Sequence, residues 1–141
     1  YELLQLIDKD TNSFNLVIES YKLPKNTPAQ RKMRDSTIDA AMKEAANIPF
    51  QTLRCCRKIM DLILEVAQYG NPKSISDAGV AGEMAHAGAH GAALNIMINL
   101  KDIQDKIFCQ NMKIKTNILL DETNEIIFSI RETVTDIINN G

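Results

Sequence analysis

The segment Ser74–Leu100, SISDAGVAGEMAHAGAHGAALNIMINL, restricts the fold more than any other part of the chain. It reads as one long helix made largely of Ala and Gly. Each of its interior glycines, Gly79, Gly82, Gly88 and Gly91, costs about 1 kcal/mol against Ala in an exposed helix. Close packing is the compensation available. Two lines of small residues follow helical spacing: Ala81, Ala85, Gly88, Ala92, Asn95, Asn99, and Ala78, Gly82, Ala85, Ala89, Ala92, Ile96. Residues so spaced share a face. A face without bulk admits another helix, or a flat ligand, close to the backbone. The two Asn amides at its far end are expected to be buried, and buried amides need partners.

The opposite face carries Gly79, Glu83, His86, His90, Ala93 and Met97. His86 and His90, one turn apart with Glu83 before them, offer a metal one face of ligands. They also suit a surface or subunit contact. The contact is preferred, because the chain has neither a zinc-protease pattern nor a second Glu-x-x-His, and no metal is expected.

The other segments are helical too. Residues 3–21 place Leu3, Ile7, Phe14, Val17 and Tyr21 on one line, and Asp10 completes it. Asp8 points about 200° away, so Asp10 is the carboxylate expected to face inward. A carboxylate there is either a hydrogen-bonded core residue or a proton-transfer group. Prolines and Asn mark Lys22–Pro28 as a loop, whose lysines are solvated charges unless an anionic ligand sits nearby. Thr27, Pro28 and Gln30 form the pattern of a capping box, starting a second helix with Ile38, Ala41, Ala45 and Ile48 inside. Pro49 is expected to begin a third, with Cys55 and Cys56 as small core residues and Gly70 as its stop. Ser74 or Ser76 caps the Ala/Gly helix, and the dipole accounts for Asp77 in its first turn. A last helix continues to about Asn139. The expectation is an all-α antiparallel bundle of about five helices, dimerising through its spare apolar faces.

Composition narrows the function classes. At 141 residues the chain suits a single domain, 1–141. A net charge of −2 without blocks of like charge leaves no nucleic-acid footprint. Three Cys, two of them adjacent, make no disulfide framework, so a reducing, cytoplasmic setting is expected. Acidic residues, histidines and asparagines in the Ala/Gly helix argue against a transmembrane segment. The pattern opens on ELLQLI without a cap, as if entering mid-helix.

LIDKD at 6–10 with Phe14 after it, KLPKNTP at 22–28, the Arg31–Arg34 region, GNPKSISDAGVA at 70–81 and GAALNIMINLKDI at 91–103 occur together in this order. The chain thereby resembles the cyclodeaminase/cyclohydrolase family, most closely the C-terminal, cyclodeaminase part of formiminotransferase-cyclodeaminase. The resemblance implies an all-helical homodimer or higher homo-oligomer acting on a tetrahydrofolate derivative, with or without a polyglutamyl tail, and without a metal. It implies closure of a 5-formimino group onto N10, giving 5,10-methenyltetrahydrofolate and ammonia, in one-carbon metabolism linked to histidine degradation. A methenyltetrahydrofolate cyclohydrolase of the same fold and an inactive helical assembly module are the alternatives. The family's catalytic acid falls on Asp10. Lys22, Lys25, Ser76, Asp77, Asn95 and Asn99 are the candidate folate-binding residues. The family's earlier helix, with its Pro-Gly-Gly-Gly-Ser-like turn, has no counterpart, so the domain is expected to lack its N-terminal helix or helices. His86 and His90 belong to no family signature.

Overall fold

The computed structural model describes residues 2–140; Tyr1, where the sequence opens, and Gly141 lie outside the described residues. The described residues form four α-helices: α1 (Glu2–Lys22), α2 (Pro28–Tyr69), α3 (Ile75–Asn99) and α4 (Lys106–Asn140). Short 3-10 turns at Pro72–Ser74 and Leu100–Asp102 flank α3. No strand occurs among the described residues, and no helix among them is long and apolar enough to cross a membrane.

The expected five helices are four because Pro49 does not divide the second segment. α2 runs unbroken for 42 residues, roughly 63 Å at 1.5 Å per residue, with Pro49 buried inside it. Its start follows local chemistry. Thr27 Oγ1 accepts from the Gln30 amide at 3.2 Å, and the Gln30 side chain accepts from the Thr27 amide at 3.1 Å, closing the capping box. Its end lies at Gly70, as expected from the sequence.

α2 is the spine. Leu6 of α1 packs on Ile48 and Cys55. From α3, Ala89, Ala92 and Ile96 join Met42, Ala46, Leu53 and Cys56, while Ala67 meets Ile75 and Ala78 at the far end. These pairings run α1 and α3 antiparallel to α2. Ile127 and Ile130 of α4 close the core over Met60. The small-residue lines of α3 permit this approach: a Cβ at Gly82 would stand 3.1 Å from Ile130 Cγ2, and one at Gly88 would stand 3.2 Å from Cys56 Sγ. The cost of glycine is offset here by helix–helix contact.

α1 sits differently from its expected orientation. Its buried residues are Leu6, Ser13 and Ser20, one step round from the predicted stripe. The serines turn back on their own helix, Ser13 Oγ to the Asp10 carbonyl at 2.9 Å and Ser20 Oγ to the Val17 carbonyl at 2.6 Å. Such back-bonding leaves no polar atom for α2 to satisfy. Ile7, Asp10, Phe14 and Tyr21 are exposed. The expectation of an inward, buried Asp10 is therefore corrected: the stripe faces open hollows instead of a packed helix.

At the α3–α4 connection, Lys43 Nζ bridges Asp39 and Asp105, each at 2.9 Å. Asp39 also accepts from the Gln104 amide at 2.9 Å, and Asp105 caps α4 through the Phe108 amide at 3.0 Å. One ammonium thus fastens the turn beyond α3 to α2.

Candidate active site

Between α1 and α3 lies a cavity of about 330 Å³. α1 contributes Asp10, Ser13, Phe14, Val17 and Tyr21, α2 contributes Met42 and Ala45, and Asn95, Asn99 and Asp102 complete it. A second hollow, of about 510 Å³, opens on the other side of Asp10 between Ile7, Thr11, Thr52, Gly88 and Gly91. Asp10 and Asn95 line both. Past Tyr21 and Asp102 the first cavity adjoins a charged cleft of about 550 Å³ with Arg34 and Lys101. The three hollows follow α1 from Leu3 to Tyr21, roughly 27 Å of helix.

Backbone chemistry holds one of the amides. Pro49 has no N–H to give the carbonyl four residues before it, and that carbonyl, on Ala45, accepts from Asn99 Nδ2 at 2.7 Å. Asn99 is half-buried instead of buried as expected, and this bond fixes its direction. Asn95, by contrast, is exposed in the hollows, a correction to its expected burial. Phe14, one turn from Asp10, and Tyr21, at the far end of the first cavity, are exposed aromatic side chains, the kind of surface on which a flat ring stacks. Arg34 lies over the Tyr21 ring, 5.4 Å from its centroid, and its buried Nε has no hydrogen-bond partner among the described residues.

Of the residues nominated from sequence, the fold brings together Asp10, Asn95 and Asn99. Ser76 and Asp77 stand at the start of α3, roughly 29 Å along the helix from Asn95. There Asp77 borders an apolar groove of Ile59, Leu62, Ile63 and Val66. Lys22 and Lys25 line none of the three hollows; Lys22 pairs with Glu19 at 2.6 Å on the surface. The sequence reading passed over Arg34, Lys101 and Asp102 as site residues. Two of them, Lys101 and Asp102, lie within the LKDI that ends the GAALNIMINLKDI stretch, which is the available signal.

Fold and site together define an all-helical domain with a run of hollows along α1, lined by an exposed carboxylate, two amides and two aromatic rings. The chain belongs to the formiminotransferase-cyclodeaminase family, whose profile matches residues 1–117. It is 38% identical over 137 residues to a methenyltetrahydrofolate cyclohydrolase of Methylorubrum extorquens, covering 97% of this chain and 66% of that one. It is 32% identical over 121 residues to the formimidoyltransferase-cyclodeaminase of Rattus norvegicus, covering 86% of this chain and 22% of that one. The crystal structure of a formiminotetrahydrofolate cyclodeaminase from Thermotoga maritima superposes with a TM-score of 0.83 at 25% identity, over 97% of this chain and 64% of that one. The chain thus spans about two thirds of the first and third of these relatives and about a fifth of the second.

Proposed function

We propose that this domain works on the one-carbon bridge between N5 and N10 of tetrahydrofolate, as a formimidoyltetrahydrofolate cyclodeaminase. The observation that carries the proposal is Asp10: an accessible carboxylate shared by two hollows, with Asn95 lining both and Phe14 lining the first, in a chain of this family. N10 attacks the formimino carbon and its proton passes to the Asp10 carboxylate. Asp10 hands a proton to the departing nitrogen, the carbon–nitrogen bond breaks, ammonia leaves and the methenyl bridge remains. Ammonia departs poorly unless protonated, so one carboxyl group serving both nitrogens is worth about 10²–10⁴ in rate. Proton transfer and attack suffice, and the scheme uses no metal. Asn95 and Asn99 bind the pterin edge, and its ring stacks on Phe14 or Tyr21.

A second reading, methenyltetrahydrofolate cyclohydrolase, is favoured by the 38% identity across nearly the whole chain. Water then adds to the bridge carbon and gives one proton to Asp10, which passes it to N5; as the carbon–N5 bond breaks, the new hydroxyl loses its remaining proton to solvent and becomes the carbonyl of the 10-formyl compound. The acting unit in either reading is a homodimer. Exposed Leu62 and Val66 on α2 and Val80 and Met84 on α3 support it, and light scattering of a monomer at micromolar concentration would refute it.

The test supplies 5-formimino- and 5,10-methenyltetrahydrofolate separately to the full-length gene product and follows methenyl absorbance. Appearance of absorbance with release of ammonia establishes cyclodeamination. Loss of absorbance alone, above the uncatalysed rate, selects hydrolysis. Turnover of neither substrate sinks both readings and leaves an assembly module.

A further inference from the structure

On the face of α3 turned about 180° from Asn95, three side-chain donors converge. His86 Nε2 lies 2.9 Å from Asn124 Oδ1 of α4, His90 Nε2 lies 3.2 Å from the same oxygen, and the two Nε2 atoms are 3.2 Å apart. The rings meet edge to face, with centroids 4.5 Å apart. None of these residues lines a hollow that holds Asp10.

Hydrogen bonds do not satisfy this triangle. Each edge needs one hydrogen directed along it, and a neutral imidazole carries at most one on Nε2. A nitrogen that gives its hydrogen to the amide oxygen has no lone pair left to accept from the other ring. With the oxygen inward, two edges at most are bonded, and the two N–H groups then oppose each other. Turning the amide so that its NH₂ points inward again bonds two edges and opposes two lone pairs. A cation satisfies all three at once. Imidazole nitrogens and carbonyl oxygens about 2.1 Å from a zinc ion, at angles between octahedral and tetrahedral, stand roughly 2.9–3.4 Å apart, and all three edges fall in that range. A histidine pair one helical turn apart is a familiar way to present two such nitrogens on one face.

We propose that His86, His90 and Asn124 bind a first-row divalent transition cation, zinc or nickel, clamping α3 to α4. Imidazole donors suit these ions and not magnesium or calcium. The neighbouring cation, Arg131, is held by both oxygens of Glu83 at 2.6 and 2.8 Å, so its charge is already compensated one turn away. The sequence favours a surface or subunit contact at these histidines; this assignment goes beyond that reading and is independent of the reaction at Asp10.

The experiment titrates zinc sulfate by calorimetry into untagged, chelator-washed protein near neutral pH, with magnesium chloride as the control. One zinc per chain is expected, with no response to magnesium, and a rise in the unfolding temperature with added zinc, because the ion binds only the folded state. His90 is exposed, so His90→Ala keeps the fold, with unchanged far-ultraviolet dichroism as its check; His90→Gln is the second variant. Asn124→Ala removes the third donor from the other helix. Each is expected to weaken zinc binding by about 10-fold to 100-fold, the scale of loss seen even for outer-shell partners. Absence of saturable zinc uptake overturns the proposal. So does wild-type affinity in folded His90→Ala and Asn124→Ala, which would place the ion elsewhere.

Discussion

Asn99 donates its side-chain amide to the Ala45 carbonyl at 2.7 Å, the carbonyl that Pro49 leaves without a helical donor. A proline inside a helix costs about 3 kcal/mol, partly through that lost bond. Here the deficit is used: the carbonyl of one helix becomes the anchor that orients an amide of another within the candidate active site. α2 remains continuous and Asn99 acquires a fixed direction from a single bond.

A double-mutant cycle tests this link. Asn99→Ala leaves the carbonyl unpaired and is expected to cost about 1–2 kcal/mol in urea unfolding. Pro49→Ala restores an amide that bonds Ala45 within the helix. In that background the cost of Asn99→Ala is expected to fall to less than half, a coupling that additive, unconnected sites do not show. Equal costs in both backgrounds would mean that the two residues act separately.

The same pair shows where the sequence was legible. The capping box of Thr27 and Gln30 and the stop at Gly70 are local, decided by residues within one turn, and both are found as read. Pro49 is a local breaker whose rescue comes from Asn99, fifty positions or so further on, and no window on the sequence contains both. Asp10 failed for another reason. An apolar stripe facing a hollow has the same spacing as one facing a helix, and only the serines at 13 and 20 hinted that the packed edge lay one step round. Asp10, and not Asp8, lines the two hollows, which lie on the side of α1 where the core was expected.

Glycine positions separate packing from function. Nothing lies within 4 Å of a Cβ built at Gly91, which lines the hollow beside Asp10. Gly91→Ala is expected to stabilise the fold by about 1 kcal/mol through helix propensity, yet to lower kcat/KM several-fold by placing a methyl group where the ligand lies. Gly82→Ala, pressed against Ile130, is expected to destabilise without touching the site. Thermal melts and steady-state rates on the two variants check both; unchanged kcat/KM in Gly91→Ala would remove that hollow from the binding site.

The Lys43 bridge sets an acid limit on stability. Its ammonium, with help from the Gln104 amide, holds the Asp39 carboxyl below the ordinary range. The Phe108 amide and then Lys43 do the same for Asp105. Groups whose folded pKa is depressed stabilise above their unfolded value and lose that contribution as pH falls through the folded one. Stability is therefore expected to fall below about pH 4. Lys43 itself is raised, chiefly by Asp39, so its contribution persists through neutral pH and is lost only above the ordinary lysine range. In Asp39→Asn the acid limb of a urea-midpoint profile between pH 7 and 2 should flatten; an unchanged profile would assign the acid sensitivity to other carboxylates.

Under the proposed function, an anionic folate tail would have two places to go. Lys22 and Lys25 flank the Pro-stiffened loop just beyond Tyr21, on the surface. Arg34 and Lys101 line the cleft that adjoins the Asp10 cavity at Tyr21 and Asp102, and Arg34 keeps an uncommitted buried Nε. Asp35, Asp39 and Asp102 share that cleft, but Asp39 is already neutralised by Lys43. A tail bound at the half-buried guanidinium depends less on salt than one bound at solvated lysines, because partly buried pairs are screened much less than exposed ones. Titrating polyglutamyl and monoglutamyl folate at two ionic strengths distinguishes the sites. Arg34→Gln is expected to abolish the preference for the polyglutamate at both salt concentrations. Lys22→Ala/Lys25→Ala is expected to reduce it only at low salt. The reverse pattern would return the tail to the loop lysines and leave Arg34 as a helix fastener, held by its bond to the Tyr21 carbonyl at 3.3 Å.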